Sequence, residues 1–380
     1  MTDARQTGKT TMVRELLGDR YRYVSFDDTD VLDAAKSDPG LFFRDNRPPI
    51  ILDEIQYAPE LFSRIKLIVD QSPEKGRFVL TGSQTYHLMR GVTESLAGRI
   101  ALLDMNGHSQ REVYGPPQRG AYIPGTSDVD VAMPDGYDPW DIMWRGSMPE
   151  LQDSSVGWDS FYRGYIRSYL ERDVRYLINV RDERRFYRFL VVAASRTGQL
   201  FNASSVANEV EVDATTVKGW LSVLEASGIV RMLRPFWSNL GKRLTKTPKL
   251  YFMDTGLACH LTRWNFSEAL RRGAMAGHMF ETFVVSEVLK SHMNGGRDAE
   301  DVYFYRDGRK REIDLVIQDG RVLHPVEVKS SSNPTREAIA SFGALESLSD
   351  YEVGEGAVIC QAERPHLIAE NVKSVPVWAI

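Results

Sequence analysis

Three short apolar runs punctuate the start of the chain: RYVSF (22–26), PPIILDE (48–54) and RFVLTGS (77–83). Each ends in polar residues, and stretches with apolar positions at helical spacing lie between them. Continuous apolar strands separated by helices predict a parallel sheet covered on both faces. From about 115 to 157 the alternation stops. Gly, Pro and Asp dominate there, as in GPPQRGAYIPGTSDVDVAMPDGYDPWD, and predict a long irregular connection or insertion. Helical periodicity returns over roughly 158–200 with the strongly charged RSYLERDVRYLINVRDERRFYRFL. A short helix, a turn and a second helix at TTVKGWLSVLEASG then lead into a strand pair, the order of elements in a winged helix. After about 265, the amphipathic stretch AGHMFETFVVSEVLKSH precedes three strand-like runs, VYFYR, EIDLVI and VLHPVEVKS.

These patterns predict a multidomain α/β protein: a parallel-sheet core over 1–113, a connection over 114–157, a helical and winged-helix region over 158–264, and an α/β domain over 265–380. The length of 380 residues agrees with two or three domains. No run of eighteen or more apolar residues marks a transmembrane helix, and no secretory pattern opens the chain. The two cysteines, Cys259 and Cys360, match no metal-ligand spacing, and a reducing cytoplasm is the expected location. A net charge of −5 argues against a wholly basic coat for nucleic acid and leaves room only for a local patch.

The first candidate chemistry lies at the N-terminus, where MTDARQTGKTTMVREL ends in the second half of a phosphate-binding loop, G-x-x-x-x-G-K-[ST]. Such a loop surrounds anionic oxygens with backbone N–H groups and the start of a helix. Arg5, Gln6, Thr7, Gly8, Lys9, Thr10 and Thr11 form the candidate nucleotide-binding stretch. Lys9 has the charge for the β/γ-phosphates and Thr10 the hydroxyl for Mg²⁺. The strand IILDEIQ ends in Asp53, placed to hold the metal, and Glu54, placed to orient and deprotonate the attacking water. The third strand ends near Ser83, placed to meet the γ-phosphate or that water. The front of the loop is irregular. Asp3 stands where the pattern wants glycine, and only Met1 and Thr2 precede it in place of a feeding strand. The expectation is a protein that begins further upstream, or a loop that is partly disabled.

A second constellation lies near the C-terminus. Alternation along EIDLVI puts Glu312, Asp314 and Val316 on one face, and Pro325, Glu327 and Lys329 share a face of the following strand. Paired as a hairpin, these strands bring Asp314, Glu327 and Lys329 together. Glu281 lies upstream on the apolar stripe of Val284, Val285 and Val288, where a carboxylate needs a partner. Three carboxylates and a lysine suit a hard-cation site holding Mg²⁺ through Glu281, Asp314 and Glu327. A solvated face of charged residues on an antiparallel sheet is the plain alternative. Between the two constellations, the segment RMLRPFWSNLGKRLTKTPKLYF is basic, with Arg231, Arg234, Lys242, Arg243, Lys246 and Lys249 around Phe236 and Trp237. With Lys218 of the second helix, these residues suit contact with a nucleic-acid backbone more than base readout. Winged helices also serve as protein–protein modules.

ARQTGKTT, IILDEIQ, VLTGSQ and ESLAGRI, in that order, resemble bacterial and archaeal AAA+ ATPases that carry a C-terminal domain of unknown function. The resemblance continues through RGSMPEL, YLERDV and KRLTKTPKLYFMDTGLACHL, and so spans essentially the whole chain. It implies ATP or ADP with Mg²⁺ as cofactor and a homo-oligomer, a hexameric ring, with Arg99 as a candidate arginine finger reaching a neighbouring subunit. A surface salt bridge or a helix cap is the simpler role for Arg99, and Arg90 is a weaker rival as finger. The D-x(12)-E-x-K arrangement of Asp314, Glu327 and Lys329 resembles the PD-(D/E)XK nuclease superfamily, with Glu281 as the helix acid. Together these resemblances imply an ATP-driven machine acting on branched or broken DNA, with metal-dependent cleavage as an added activity. The alternative is a regulatory ATP switch whose partner is a protein.

Overall fold

The computed structural model describes residues 7–82, 96–115, 120–127, 129–169, 183–237, 247–297 and 299–380. The chain divides into two units: Met1–Asn106 with Ser168–Asn179 and Ser222–Gly228, and Gly107–Arg167 with Val180–Leu221 and Ile229–Ile380.

In the first unit the three apolar runs form β1 (Arg22–Ser25), β2 (Ile50–Asp53) and β3 (Phe78–Leu80), hydrogen-bonded side by side in that order. Both pairings are parallel, with Ser25 opposite Asp53 and Leu52 opposite Leu80. The central strand β2 is buried at every position, which is why it reads as an unbroken apolar run. Asp28 caps the helix Thr29–Ser37, and Asp38 caps the helix Pro39–Asp45 through the N–H of Leu41. Phe42 and Phe43 from that second helix pack edge to face, with ring centroids 5.2 Å apart. Together with Phe26, Ile50, Leu52, Phe62 and Ile65 they form the core of this unit. Because the strands are parallel, their C-terminal ends all arrive at one edge, and this edge carries Asp53 and Glu54.

The second unit holds two sheets among its described residues. The smaller is antiparallel, in the order β4 (Gln199–Leu200), β6 (Lys249–Phe252), β5 (Val230–Leu233). It follows two helices, Ala203–Val210 and Ala214–Ala226, separated by a turn in which Glu211 takes a left-handed φ of 59°. Asn202 caps the first of these helices by accepting from the N–H groups of Ser204 and Ser205. The larger sheet is mixed, in the order β12 (His366–Ala369), β13 (Val372–Pro376), β11 (Gly356–Cys360), β9 (Val322–Val328), β8 (Glu312–Asp319), β7 (Val302–Arg306), with β10 (Glu352–Val353) also on β9. β8 and β9 form an antiparallel hairpin through a tight turn at Gly320, where φ is 62°. Val326 of β9 pairs with Leu315 of β8 on one side and, in parallel, with Ala357 of β11 on the other.

Two sequence expectations change here. The stretch 115–157, read as an irregular connection, contributes Tyr122, Ile123, Trp140, Met143 and Leu151 to buried positions and forms the helix Pro139–Arg145. Its Gly and Pro residues break strands without preventing burial. The stretch around AGHMFETFVVSEVLKSH forms the helix Ala276–Asn294, which is buried continuously from Thr282 to His292. It is therefore an interior helix rather than a two-faced one, and its polar residues pair internally, as Lys290 does with Glu287 at 2.6 Å.

Candidate nucleotide site and a second charged cluster

Gly8 has φ 82° and precedes the helix Lys9–Leu17, so the chain turns directly from a left-handed glycine into a helix N-terminus. Lys9, the first helical residue, is buried, and its ammonium donates to the Thr7 hydroxyl at 3.3 Å. Thr10 donates to Asp53 Oδ2 at 3.0 Å. The loop threonine and the strand-end aspartate, separated by more than forty residues of chain, are thus adjacent. Asp53 also accepts from the Tyr23 hydroxyl on Oδ2 at 2.5 Å and from Thr81 on Oδ1. Neither Tyr23 nor Thr81 was singled out from sequence, although both lie on or just beyond the apolar strands flanking β2. Burial, reinforced by the hydrogen bond to Asp53, raises the Tyr23 phenol to about 12, so it stays a donor at neutral pH. The Arg14 guanidinium lies 4.9 Å from the centroid of its ring.

Glu54 leaves the strand with φ 55° and ψ 40°, a left-handed conformation rare for a residue with a side chain. Its carboxylate accepts from the Gln56 amide. An acid turned out of a buried strand by an unfavourable backbone angle is the sort of local strain that collects at functional positions. The donor set fits a magnesium nucleotide: a buried ammonium, a threonine hydroxyl, a carboxylate beside it and a helix N-terminus. Thr11 is exposed on the same helix.

Arg99 forms a two-pronged pair with Asp70 of its own unit, Nε to Oδ1 at 2.5 Å and Nη2 to Oδ2 at 3.2 Å. The hydrogen bond from Arg99 holds the Asp70 carboxyl below its ordinary range. In this arrangement Arg99 is a surface salt bridge within one chain. Arg5, Gln6 and Ser83 lie outside the described residues, as do Asp3 and Arg90.

The second constellation is assembled around an unexpected residue. Lys249, assigned from sequence to a basic nucleic-acid surface, has a side chain only 4 % exposed. Its ammonium lies 2.9 Å from Glu281, 2.7 Å from Glu312 and 3.9 Å from Asp314. The Phe304 ring centroid is 5.5 Å away. Tyr251, two residues along β6 and so on the same face, donates to Glu281 at 2.6 Å. Burial opposes the Lys249 charge, but Glu281, Asp314 and Glu312 together outweigh it and hold its pKa above the ordinary lysine range. The period-two face of Glu312 and Asp314 was legible in the sequence; the lysine opposite them was not.

Asp314 also accepts the Val328 N–H at 2.9 Å, and Lys329 donates to Glu327 at 2.7 Å. Burial, then the charge of Glu281, raises Asp314 to about 6. Burial, then Asp314, raises Glu327 to about 7. Glu281 and Asp314 therefore both border Lys249, and Glu327, paired with Lys329, lies beside Asp314. No group of three His, Cys, Asp or Glu side chains among the described residues is arranged to hold a metal. The Lys249 ammonium supplies positive charge between Glu281, Glu312 and Asp314.

The nucleic-acid assignment changes with it. Lys249 is interior, Arg231 pairs with Glu300 at 2.5 Å, and Phe236 is buried between Tyr303 and Tyr351 with ring centroids 5.4 and 5.1 Å away. Lys218 and Arg234 are exposed, while Lys242, Arg243 and Lys246 lie outside the described residues.

RGSMPEL, noticed in the sequence without a chemical role, acquires a structural one. Arg145 donates to the carbonyls of Leu151 and Asp153 at 2.6 and 2.8 Å. Asp254, buried in the segment MDTG, accepts from the Ser147 N–H at 2.8 Å and from the Tyr162 hydroxyl at 2.6 Å. Gly146, with φ 90°, lies where a Cβ would come within 2.1 Å of the Tyr162 hydroxyl, so only glycine fits.

Residues 2–114 match the family described as AAA domain. Residues 137–268 and 276–380 match two families described as domains of unknown function, DUF8612 and DUF4143. An uncharacterized protein of Mycobacterium bovis and one of Mycobacterium tuberculosis are each 29 % identical to this chain over 386 residues. Those alignments cover 99 % of this chain and 79 % of each relative. The matches support an AAA-type ATPase with a C-terminal domain of unknown function, and ATP binding and hydrolysis as its chemistry. No helix among the described residues is long and apolar enough to cross a membrane.

Proposed function

We propose that this chain is a Mg²⁺-dependent ATPase whose second unit is a binding or assembly module driven by the nucleotide state. The observation that carries the first part is the Thr10–Asp53 hydrogen bond of 3.0 Å beside the buried Lys9. Lys9 meets the phosphate charge, and Thr10 with Asp53 would hold the cation. Bound there, Mg²⁺ neutralises charge on the transferring phosphoryl group. Tyr23 and Thr81 fix the Asp53 carboxylate in one orientation, because each donates to it from a neighbouring strand. Glu54 is the candidate base for the attacking water, and its left-handed backbone turns the carboxylate away from the axis of β2. Assembly as a homo-oligomer, up to a hexameric ring, would free Arg99 from Asp70 to act on a neighbour's nucleotide.

The second part rests on Lys249. A carboxylate cluster neutralised by a lysine suits holding a structure together better than cutting a phosphodiester. This favours the switch with a protein partner over a nuclease. A DNA-acting machine is the second reading, supported by the exposed Lys218 and Arg234 and by the helix–turn–helix followed by antiparallel strands. Phosphate release measured with and without duplex, single-stranded and junction DNA separates the two. DNA-independent turnover supports the switch; stimulation by DNA supports the machine. Glu54→Gln should reduce turnover by roughly 100-fold or more while leaving ATP binding intact. Turnover unchanged in that variant overturns the assignment of the site.

A further inference from the structure

We infer that Tyr23 gates the cation side of the nucleotide site: its hydroxyl takes the place on Asp53 Oδ2 that Mg²⁺, or a water on it, needs. The phenol thereby sets how much Mg²⁺ the chain requires to hold a nucleotide. The inference rests on the nucleotide reading above and goes beyond it, by naming a competitor for the cation rather than a ligand. Every residue in it belongs to the first unit.

A carboxylate oxygen offers about two acceptor positions. On Asp53 Oδ2 one is taken by the Thr10 hydroxyl at 3.0 Å and the other by the Tyr23 hydroxyl at 2.5 Å. Thr81 donates to Oδ1. The aspartate is buried, so these three hydroxyls are its immediate surroundings. They are not equivalent. Thr10 can leave its proton on Asp53 while its own lone pairs face a cation, and so serves both at once. Thr81 holds the opposite oxygen. Tyr23 is the donor whose departure exposes a lone pair on the oxygen beside Thr10. A cation shared between Thr10 and Asp53 therefore competes with the phenol.

The surroundings of the phenol make that departure easy. Arg14 stands one helical turn after Thr10 on the same helix face, and its guanidinium lies 4.9 Å from the Tyr23 ring centroid. This contact is with the ring and does not depend on where the hydroxyl points. The Ser25 hydroxyl, two residues along the same face of β1, also reaches the phenol oxygen. Tyr23 thus keeps partners on both its ring and its oxygen after releasing Asp53.

The test uses the full-length chain and a fluorescent ADP analogue, with Mg²⁺ titrated from none to millimolar and binding read by anisotropy. Tyr23→Phe keeps the ring beside Arg14 and removes only the competing hydroxyl. It is expected to reach half-maximal binding at roughly 3–10-fold less Mg²⁺, part of what a hydrogen bond to a charged group is worth. Its affinity in EDTA is expected to match wild type, because no cation is then competing. Thr81→Val removes a donor from Oδ1 and is expected to give no such gain. Should Tyr23→Phe not accumulate as folded protein, Tyr23→Met removes the same hydroxyl by a second route. An unchanged or higher Mg²⁺ requirement in the folded Tyr23 variant overturns the inference and leaves Tyr23 as a positioning residue. An equal gain in Thr81→Val overturns it as well. A wild-type chain that binds no nucleotide at any Mg²⁺ concentration overturns the nucleotide reading itself, and this inference with it.

Discussion

Two buried lysines have opposite employment in this protein. Lys9 opens a helix behind a left-handed glycine and donates to the Thr7 hydroxyl, while the next residue, Thr10, donates to an Asp53 carboxylate that also accepts from Tyr23 and Thr81. Lys249 sits mid-sheet and is held by carboxylates. In the first arrangement the hydroxyls can give way to an incoming ligand, since each bond to the charged carboxylate contributes about 1.5–3 kcal/mol net and the ligand and its cation replace it. In the second, nothing can leave without stranding a buried charge. One site is built to exchange partners and the other to keep them.

That contrast is broken most directly at Lys249. Lys249→Ala should destabilise the second unit by roughly 3–5 kcal/mol, the cost of leaving buried charges unpaired. Thr10→Ala should cost less, about 1.5–3 kcal/mol, the range for one hydrogen bond to a charged group. Urea unfolding of the two variants side by side measures the difference, and equal losses would erase the distinction. A third buried acid, Asp254, sharpens it by showing a site closed by backbone rather than charge. Gly146→Ala should cost roughly 2–3 kcal/mol, because a Cβ there meets the Tyr162 hydroxyl and forces φ away from 90°. Tyr162→Phe in the same background should recover part of the loss, read in the same unfolding experiment.

The pH dependence separates the two sites more gently. Glu327 titrates at about 7 in the folded chain and near 4.3 when free. Between those values the folded state binds the extra proton, so stability falls as pH rises from about 4.5 to about 7 and is level above that. Asp314, at about 6, adds to the same decline. Glu327→Gln should flatten this decline. A decline that persists unchanged in Glu327→Gln assigns the proton elsewhere. The smallest expected effect is at Arg99. Arg99→Ala should leave the melting temperature essentially unchanged, because its pair with Asp70 is exposed to solvent. If it also leaves turnover unchanged in the assembled protein, the finger assignment falls.

Much of the nucleotide site was legible in sequence because its parts are local. G-K-T declares a turn into a helix, and Asp53-Glu54 follows an apolar strand whose end is fixed by its own polarity. The strands at 22–25, 50–53 and 78–80 lie where the apolar runs placed them. Tyr23 and Thr81 were missed because their role depends on which strands flank β2, a matter of pairing order. In the second unit, alternation put Glu312 and Asp314 on one face, and the hairpin brought Glu327 and Lys329 to them. The basic run around Lys249 misled for a physical reason: a charge count along a segment cannot say which of its members turns inward.

The sequence alone determined the local elements: apolar runs made strands, aspartates and asparagine capped helices, and glycines at 8, 146 and 320 took left-handed backbone angles that favour glycine. Those outcomes depend on neighbours a few residues apart. Only the tertiary structure decided that Lys249 would face Glu281, Glu312 and Asp314, thereby giving the acids a lysine counter-ion. That choice rests on contacts between residues tens of positions apart, where burial makes one well-placed charge outweigh the composition of the whole segment around it.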